Sequence, residues 1–433
     1  MNQGLRAVQA LRRRTGPEAA RVPRGRAAAA AFLAVLLGLG WLGGLPAGLG
    51  CRPELAAGGP SGSQGAAAPG GQGAGAGGAG GTGGAGSGGG AGFGTSAGAG
   101  AGGAGTGGGA GQGESGSQGA AAATAVCPLC GERVPVSSLL HRPIAVSVDN
   151  LDAARPQSGL GDACLVYEVL AEGGITRFVA FFLHKDTASI GPVRSLRPYF
   201  LDLAMPLGAP VAHVGGSPQA LADAAALAPR AMSIDEMKQE SAFWRSSSRK
   251  APHNCYTSLS ALRSASISLG YEGRTLTTTT PAAFVFAPAA DKVALPADSQ
   301  ALSRFSVTYA GGSGGYVVTY DYDSDSEQWM RYIGGSAHVD AATGKQLRAT
   351  SVIVQYVPSR VIPGDTEGRL ELDLTGTGQA MVFTLGKTFK VQWSKAGRDR
   401  PISYTDSAGD PLTLPPGPVW VLVVPPGSRL DTE

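Results

Sequence analysis

Residues 59–124 consist almost wholly of Gly, Ala, Ser, Thr and Gln, with one charge, Glu114, and one aromatic ring, Phe93. Nothing else limits so strongly what this chain can fold into. Such a stretch cannot bury enough apolar surface to offset the entropy of ordering it, so a disordered Gly/Ala-rich tether is expected. As a random coil its ends would lie about 45 Å apart. The foldable part is then residues 127–433 of the 433, a length that suits two domains.

The residues before the tether read as an export signal. Arg6, Arg12, Arg13, Arg14, Arg21, Arg24 and Arg26 form a basic head, and residues 27–50 carry no charge. Their apolar core runs from Ala31 to Trp41, and Gly44, Pro46 and Gly48 follow just before Cys51. Basic, apolar, then small is the order of a signal peptide, here residues 1–50. Cys51 directly after Gly50 resembles the lipobox of bacterial lipoproteins, in which the cysteine is diacylated and becomes the new N-terminus. Gly48 stands where that motif usually has Leu. An uncleaved anchor is the alternative, since the charge-free run is long enough to span a bilayer. Either way residues 52–433 would lie outside the cytoplasmic membrane, anchored at its outer face. Residues 51–126 then comprise the lipidated cysteine and the linker.

The formal charge of +3 comes from this head. Without its seven Arg and one Glu, the 35 basic and 32 acidic residues become 28 against 31. A mildly acidic body gives no support to a nucleic-acid partner.

Five cysteines are present, and Cys127-Pro128-Leu129-Cys130-Gly131 looks like one knuckle of a zinc ribbon, spanning residues 127–138. A closed zinc site needs four ligands, and no second such pair follows. His141 is a candidate third ligand. A local disulfide is equally compatible with an extracytoplasmic location, and free thiols remain open. Cys164, between Ala163 and Leu165, reads as a small core residue.

Residues 139–280 alternate strand and helix signals, the pattern of an α/β (α+β) N-terminal domain. Residues 143–149, 163–170, 177–183 and 209–214 are short apolar runs that read as strands, the second also compatible with a short helix. Ser217 followed by Pro218 is a helix start, and residues 259–269 form a second helical stretch. Polar residues gather at the ends of the apolar runs, where α/β sheets form ligand crevices. The candidate ligand-binding set is Asp149, Asn150, Arg155, Glu172, Arg177, Arg194, Arg197, His213, Ser217 and His253. Arginines offer forked donors to carboxylate or phosphate, and the Gly215-Gly216-Ser217 turn could present free N–H groups to an anion. The alternative is a structural network in which the arginines pair with Glu168, Glu172 and Asp162.

Several strings in this region carry a family resemblance. They are Arg142-Pro-Ile-Ala-Val to Asp149-Asn150, Arg155-Pro-Gln-Ser-Gly-Leu160, Tyr167-Glu168 to Glu172-Gly-Gly-Ile-Thr-Arg177, Gly191-Pro-Val-Arg-Ser195 to Arg197-Pro-Tyr199, and His213 to Gly215-Gly-Ser217. In that order they resemble the YerB-like lipoproteins of Gram-positive bacteria. The resemblance implies a two-domain extracytoplasmic lipoprotein and no particular reaction, because that family is one of unknown function. Neither the Cys127 knuckle nor the long tether belongs to the family pattern.

Residues 300–433 form a mostly β C-terminal domain, sandwich-like or barrel-like, with strands at 304–309, 316–320, 328–333, 351–356, 369–374, 380–384, 388–393 and 419–424. A Thr/Pro/Ala-rich stretch at 275–296 marks the boundary. Asp321 to Glu327 spaces carboxylates like a calcium loop but lacks its glycine and final glutamate, so a charged hairpin turn is expected. Trp329, Trp393 and Trp420 could stack on sugars or fill the core.

Three functions compete. The first is a non-enzymatic envelope lipoprotein holding a polar or anionic ligand in its α/β domain. The second is an envelope hydrolase or transferase using Asp149, Glu172 and His213. The third is an adaptor for wall or protein partners, acting through exposed tryptophans of the β domain. No cofactor is required by any of them, zinc at Cys127 and Cys130 excepted.

Overall fold

A computed structural model describes residues 123–272, 284–311 and 316–433. The expected signal peptide, Cys51, residues 59–122 of the expected tether and the first part of the 275–296 boundary lie outside the described residues, while the last linker residues, Thr124–Val126, form a strand. In chain order the first half contains β1 (Thr124–Val126), β2 (Arg133–Pro135), β3 (Ile144–Asp149), β4 (Leu165–Leu170) and β5 (Thr176–Phe182). Then come α1 (Pro198–Ala204), β6 (Val211–His213), α2 (Pro218–Ala226), β7 (Ser233–Asp235), β8 (Phe243–Arg245), β9 (Cys255–Thr257) and α3 (Leu259–Ser268). The described second half has no α-helix, only one 3-10 turn at Ala290–Lys292, and its strands are β10 (Val285–Phe286), β11 (Gln300–Ala301), β12 (Arg304–Thr308), β13 (Val317–Asp323), β14 (Gln328–Ile333), β15 (Ser336–Ala337), β16 (Arg348–Ala349) and β17 (Ser351–Tyr356). It ends with β18 (Ser359–Val361), β19 (Leu370–Leu372), β20 (Gly376–Thr384), β21 (Lys387–Lys395), β22 (Ser403–Thr405), β23 (Thr413–Leu414), β24 (Val419–Val424) and β25 (Arg429–Thr432).

Local chemistry explains the elements. β3, β4 and β24 are buried at every position, as expected of Val- and Ile-rich runs covered on both faces. β21 alternates instead: Phe389, Val391 and Trp393 face inward while Lys390, Gln392 and Ser394 face water. Ser217 caps α2 by accepting the Ala220 N–H at 3.2 Å, and Ser258 caps α3 through Ala261 in the same way.

The two halves share one sheet. Eleven strands run in the order β11-β21-β20-β17-β24-β4-β5-β3-β6-β7, with β22 beside β21. The seam is the parallel pairing of β24 with β4, where Val419 faces Leu165 and Leu422 faces Glu168. On its other side β24 runs parallel to β17. Four of the larger second-half strands therefore extend the first-half sheet, rather than closing a sandwich of their own. Of the remaining second-half strands, β10–β23 and β18–β19 form two-stranded pairs, and β12 to β16 and β25 make a six-stranded antiparallel sheet. Its inner face stacks Phe305 on Phe383 of the large sheet, with ring centroids 3.7 Å apart. All described residues fall within one compact unit.

Trp329, Trp393 and Trp420 are each buried to within 2% of full enclosure, so none presents a sugar-stacking face. The Asp321–Glu327 carboxylates sit at the β13–β14 hairpin, where Ser326 donates to Asp323 at 2.6 Å. Among the described residues no helix is long and apolar enough to cross a membrane.

Candidate functional site

Most of the candidate residues meet at one end of the large sheet. Asp149 closes β3, and the antiparallel register sets it opposite Arg177 near the start of β5, so both side chains leave the same face. β3 pairs with β6 only through Ala145 and Val146. Beyond them the chain around Arg194 inserts between the diverging strands. Its N–H bonds Ser147 O at 2.8 Å, and its carbonyl accepts the Val214 N–H at 3.1 Å. This insertion delivers Arg194, Ser195 and Arg197 to the carboxyl ends of the parallel strands β3 and β6.

Two carboxylates organise the cluster. The buried Asp149 places Oδ2 2.6 Å from His253 Nδ1 and 3.2 Å from Arg194 Nε. Its Oδ1 accepts the Leu151 N–H. Glu172 accepts from Arg177 at 2.8 Å and from Arg197 Nε at 2.9 Å, and a second Arg197 nitrogen also contacts it. The Ser195 carbonyl accepts from Ser147 Oγ at 3.3 Å and from Arg177 at 3.5 Å. Burial alone would raise the Glu172 carboxyl, but Arg197 and Arg177 outweigh it and hold it at about 2. Burial and the neighbouring Arg197 lower Arg177, with Glu172 acting against them. Three guanidinium groups thus surround two carboxylates. The Nε groups of Arg177 and Arg194 are buried without a hydrogen bond. For Arg194 the 3.2 Å approach to Asp149 is a charge contact with poor donor alignment.

The remaining candidates have other partners. His213 is enclosed by Gly215 O at 2.8 Å, Ser233 Oγ at 2.7 Å and Asp235 at 3.7 Å. Burial lowers its basicity despite Asp235. No hydrogen bond among the described residues joins Asp149, Glu172 and His213 to one another. Ser217 is 2% exposed and spends its hydroxyl on the cap of α2. Asn150 and Arg155 turn inward: Arg155 bonds the Asn150 side chain at 3.0 Å and its carbonyl at 2.7 Å, and the Asn150 amide donates to Thr176 and Tyr316.

That inward network leads to a pair the sequence reading missed. Glu168 and Arg331 are both fully enclosed and meet at 2.8 Å between β4 of the large sheet and β14 of the six-stranded sheet. Glu168 Oε1 also accepts from Thr176 and Tyr316. Arg331 lies over the rings of Trp420, Tyr320 and Phe178 and donates to His338 at 3.1 Å. A signal for it exists. Arg331 is two residues from the buried Trp329 in a strand of period two, so it must face inward with it.

At the opposite end of β4 and β5 a second cluster forms. Cys164 precedes β4, His184 follows β5, and the Cys127–Cys130 turn lies against them. The four ligand atoms are all within 4.8 Å of one another. Cys130 Sγ is 3.3 Å from His184 Nε2. Hydrogen bonds from Cys130 and Cys164 draw the Cys127 thiol far down, while theirs are driven up by Cys127 and by burial. His141, the expected third ligand, instead approaches Glu272 at 3.9 Å, because it lies on the chain leading away from the knuckle into β3. Cys164 is buried as expected of a core residue, but in contact with thiols.

The described surface includes two cavities of several hundred Å³. One of about 580 Å³ lies between α1, α2 and β19, with Asp202, Asp223, Glu371 and Asp373 around Arg398. Another of about 540 Å³ is lined by Arg142, Arg230, Tyr271 and Asp399. Neither of these two is lined by Arg177, Arg194 or Arg197.

Comparison with known proteins places this geometry in a family. Residues 129–272 match the family described as protein of unknown function (DUF3048), N-terminal domain, and residues 305–421 match its C-terminal domain. The Bacillus subtilis (strain 168) protein named "Putative lipoprotein YerB" is 33% identical over 302 residues, which is 69% of this chain and 86% of that protein. The crystal structure of YerB protein from Bacillus subtilis is similar with a TM-score of 0.61 at 29% identity, covering 71% of this chain and 99% of that one.

Proposed function

We propose, from the premise that the chain belongs to the YerB-like family with paired DUF3048 domains, that it is an envelope lipoprotein that binds a small anion. It is held at the outer face of the cytoplasmic membrane through acylated Cys51, and residues 59–124 tether the folded part. The ligand is a carboxylate or phosphate bound at the Arg177–Arg194–Arg197 end of the sheet. One observation carries this reading: three guanidinium groups and the His253 imidazole converge on only two carboxylates. The excess is one guanidinium, because Arg177 and Arg197 share Glu172, and the neighbouring Arg194 and His253, 22% and 15% exposed, give an anion access without unfolding anything. Charge-assisted, forked hydrogen bonds would supply the affinity.

The Asp149–His253 contact is the one feature that favours an enzyme. A carboxylate on Nδ1 orients the ring and leaves Nε2 as a base. The trio of Asp149, Glu172 and His213 draws no such support, because His213 is enclosed by its own partners.

A thermal-shift titration of the full chain in mild detergent with inorganic phosphate, citrate and wall peptide fragments tests the binding. The midpoint should rise with one of these in the parent and not in Arg194→Ala. Equal shifts in both proteins, or none in either, would refute it. Anchoring is tested by incorporation of labelled palmitate, which Cys51→Ala should abolish.

A further inference from the structure

The thiol–imidazole cluster lies at the far end of the sheet from the arginine site and plays no part in the proposed binding. Its four donors are Cys127, Cys130, Cys164 and His184, the first three 0%, 1% and 2% exposed and the imidazole side chain 5%. They come from three separate segments, yet all four ligand atoms lie within 4.8 Å of one another. A disulfide between Cys127 and Cys130 would use two of these donors. It would leave unexplained why Cys164 and His184 converge on the same point.

We infer that Cys127, Cys130, Cys164 and His184 form a closed structural Zn²⁺ site. Three sulfurs and one imidazole nitrogen are a donor set that zinc takes in tetrahedral geometry, and burial of all four leaves no open position for catalysis. Binding is an exchange without redox change: Zn²⁺ enters, the thiols that are still protonated release their protons, and neutral His184 donates the Nε2 lone pair. Glu132, 3.4 Å from that nitrogen, adds negative charge at the rim.

The ion's role follows from what it joins. β1 and β2 pair over only three residues each, Thr124–Val126 against Arg133–Pro135, and a two-stranded ribbon of that length is not stable alone. Backbone bonds close the turn between them and hold both cysteines on it: Gly131 N–H bonds Cys127 O, and Cys127 N–H bonds Glu132 O, both at 2.8 Å. Cys130 O accepts the Gly417 N–H and Cys164 O accepts the Val419 N–H, so the knuckle and the start of β4 both grip the start of β24. The metal therefore staples the point where the chain arriving from the membrane enters the fold to the strand that joins the two halves.

The test uses the full chain extracted in mild detergent under non-oxidising conditions. Elemental analysis should find one zinc per chain. After exchange, cobalt should give thiolate charge-transfer and tetrahedral d–d absorption bands. Cys164→Ser and His184→Ala should each lose the metal, and Cys255→Ser should keep it. Should the ligand variants fail to fold, the parent still decides: chelator should expose Cys127, Cys130 and Cys164 to alkylation while Cys255 stays protected. A metal-free parent that gives no cobalt bands would overturn the site. So would a Cys127–Cys130 disulfide in the protein as isolated, or full metal retention by Cys164→Ser.

Discussion

Replacing Arg331 with methionine tests what holds the two halves together. The guanidinium and Glu168 are both 0% exposed and meet at 2.8 Å. Glu168 Oε1 keeps Thr176 and Tyr316 as donors when Arg331 is removed, but Oε2 has Arg331 as its one hydrogen-bond partner among the described residues. A buried charge is then left uncompensated, which costs about 3–5 kcal/mol. The methionine fills much of the arginine stem's volume among Trp420, Tyr320 and Phe178, so little of the loss should come from packing. Glu168→Gln alone should cost a similar amount by stranding Arg331. The double variant removes both charges. It should lose only about 1–2 kcal/mol, because His338 and Tyr320 then lack the donor they had. Urea unfolding followed by tryptophan fluorescence gives these values, since Trp329 and Trp420 lie beside the pair. In a thermal scan the single variants should melt about 6–10 °C below the parent, at ~2 °C per kcal/mol for a body of this size. Single variants costing under about 1 kcal/mol, or a double variant whose loss equals the sum of the two, would refute the reasoning. Either result would mean that water or a neighbouring group already compensates the charge.

Other perturbations give equally definite outcomes. Glu172 falls from 4.5 to about 2 on folding, so its contribution is fully present above pH 4.5 and is lost as pH drops through that interval. That loss is about 2–3 kcal/mol after allowance for its 19% exposure, and the Glu172→Gln profile should be shallower by that amount there; parallel denaturation profiles for the two proteins would contradict the assignment. Gly131 holds a φ of +72°, and a Cβ there would sit 2.5 Å from Phe286 Cγ. Gly131→Ala should therefore cost about 2 kcal/mol or more and loosen the knuckle, read as a lower urea midpoint; an unchanged midpoint would show that the turn can shift freely. Acrylamide should quench Trp244, which is 41% exposed, far more than Trp329, Trp393 or Trp420. Comparing the parent with Trp244→Phe checks this, and equal quenching of the two would mean the second-half tryptophans are accessible.

Much of the local structure is legible in the residues. The runs ending at Asp149 and starting at Arg177 form strands because they are short, β-branched and apolar, and β14, β17 and β24 occupy the expected positions. Ser217 and Pro218 start α2 for reasons confined to one helical turn. At the candidate site, Arg194 and Arg197 arrive on a loop inserted between β3 and β6, whereas the placing of Asp149, Glu172 and Arg177 at strand ends follows from the position of each beside its own apolar run. The separation of His213 and Ser217 from that group does not, because it depends on where Ser233, Asp235 and the first turn of α2 come to rest.

By itself the sequence determined the elements and the order in which they occur, because helix caps and the two-residue period of a strand act over a few neighbouring residues. Family membership is likewise written in short strings that keep their order. Tertiary structure alone decided which strands are neighbours. β24 lies against β4 although most of the chain separates them, and that pairing turns two expected domains into contributors to one sheet. It also decided the partners of Arg331, Cys164 and His184. A buried charge or thiol needs a complementary group in space, and nothing in the local pattern around Arg331 indicates Glu168, nor around Cys127 the segments that supply Cys164 and His184.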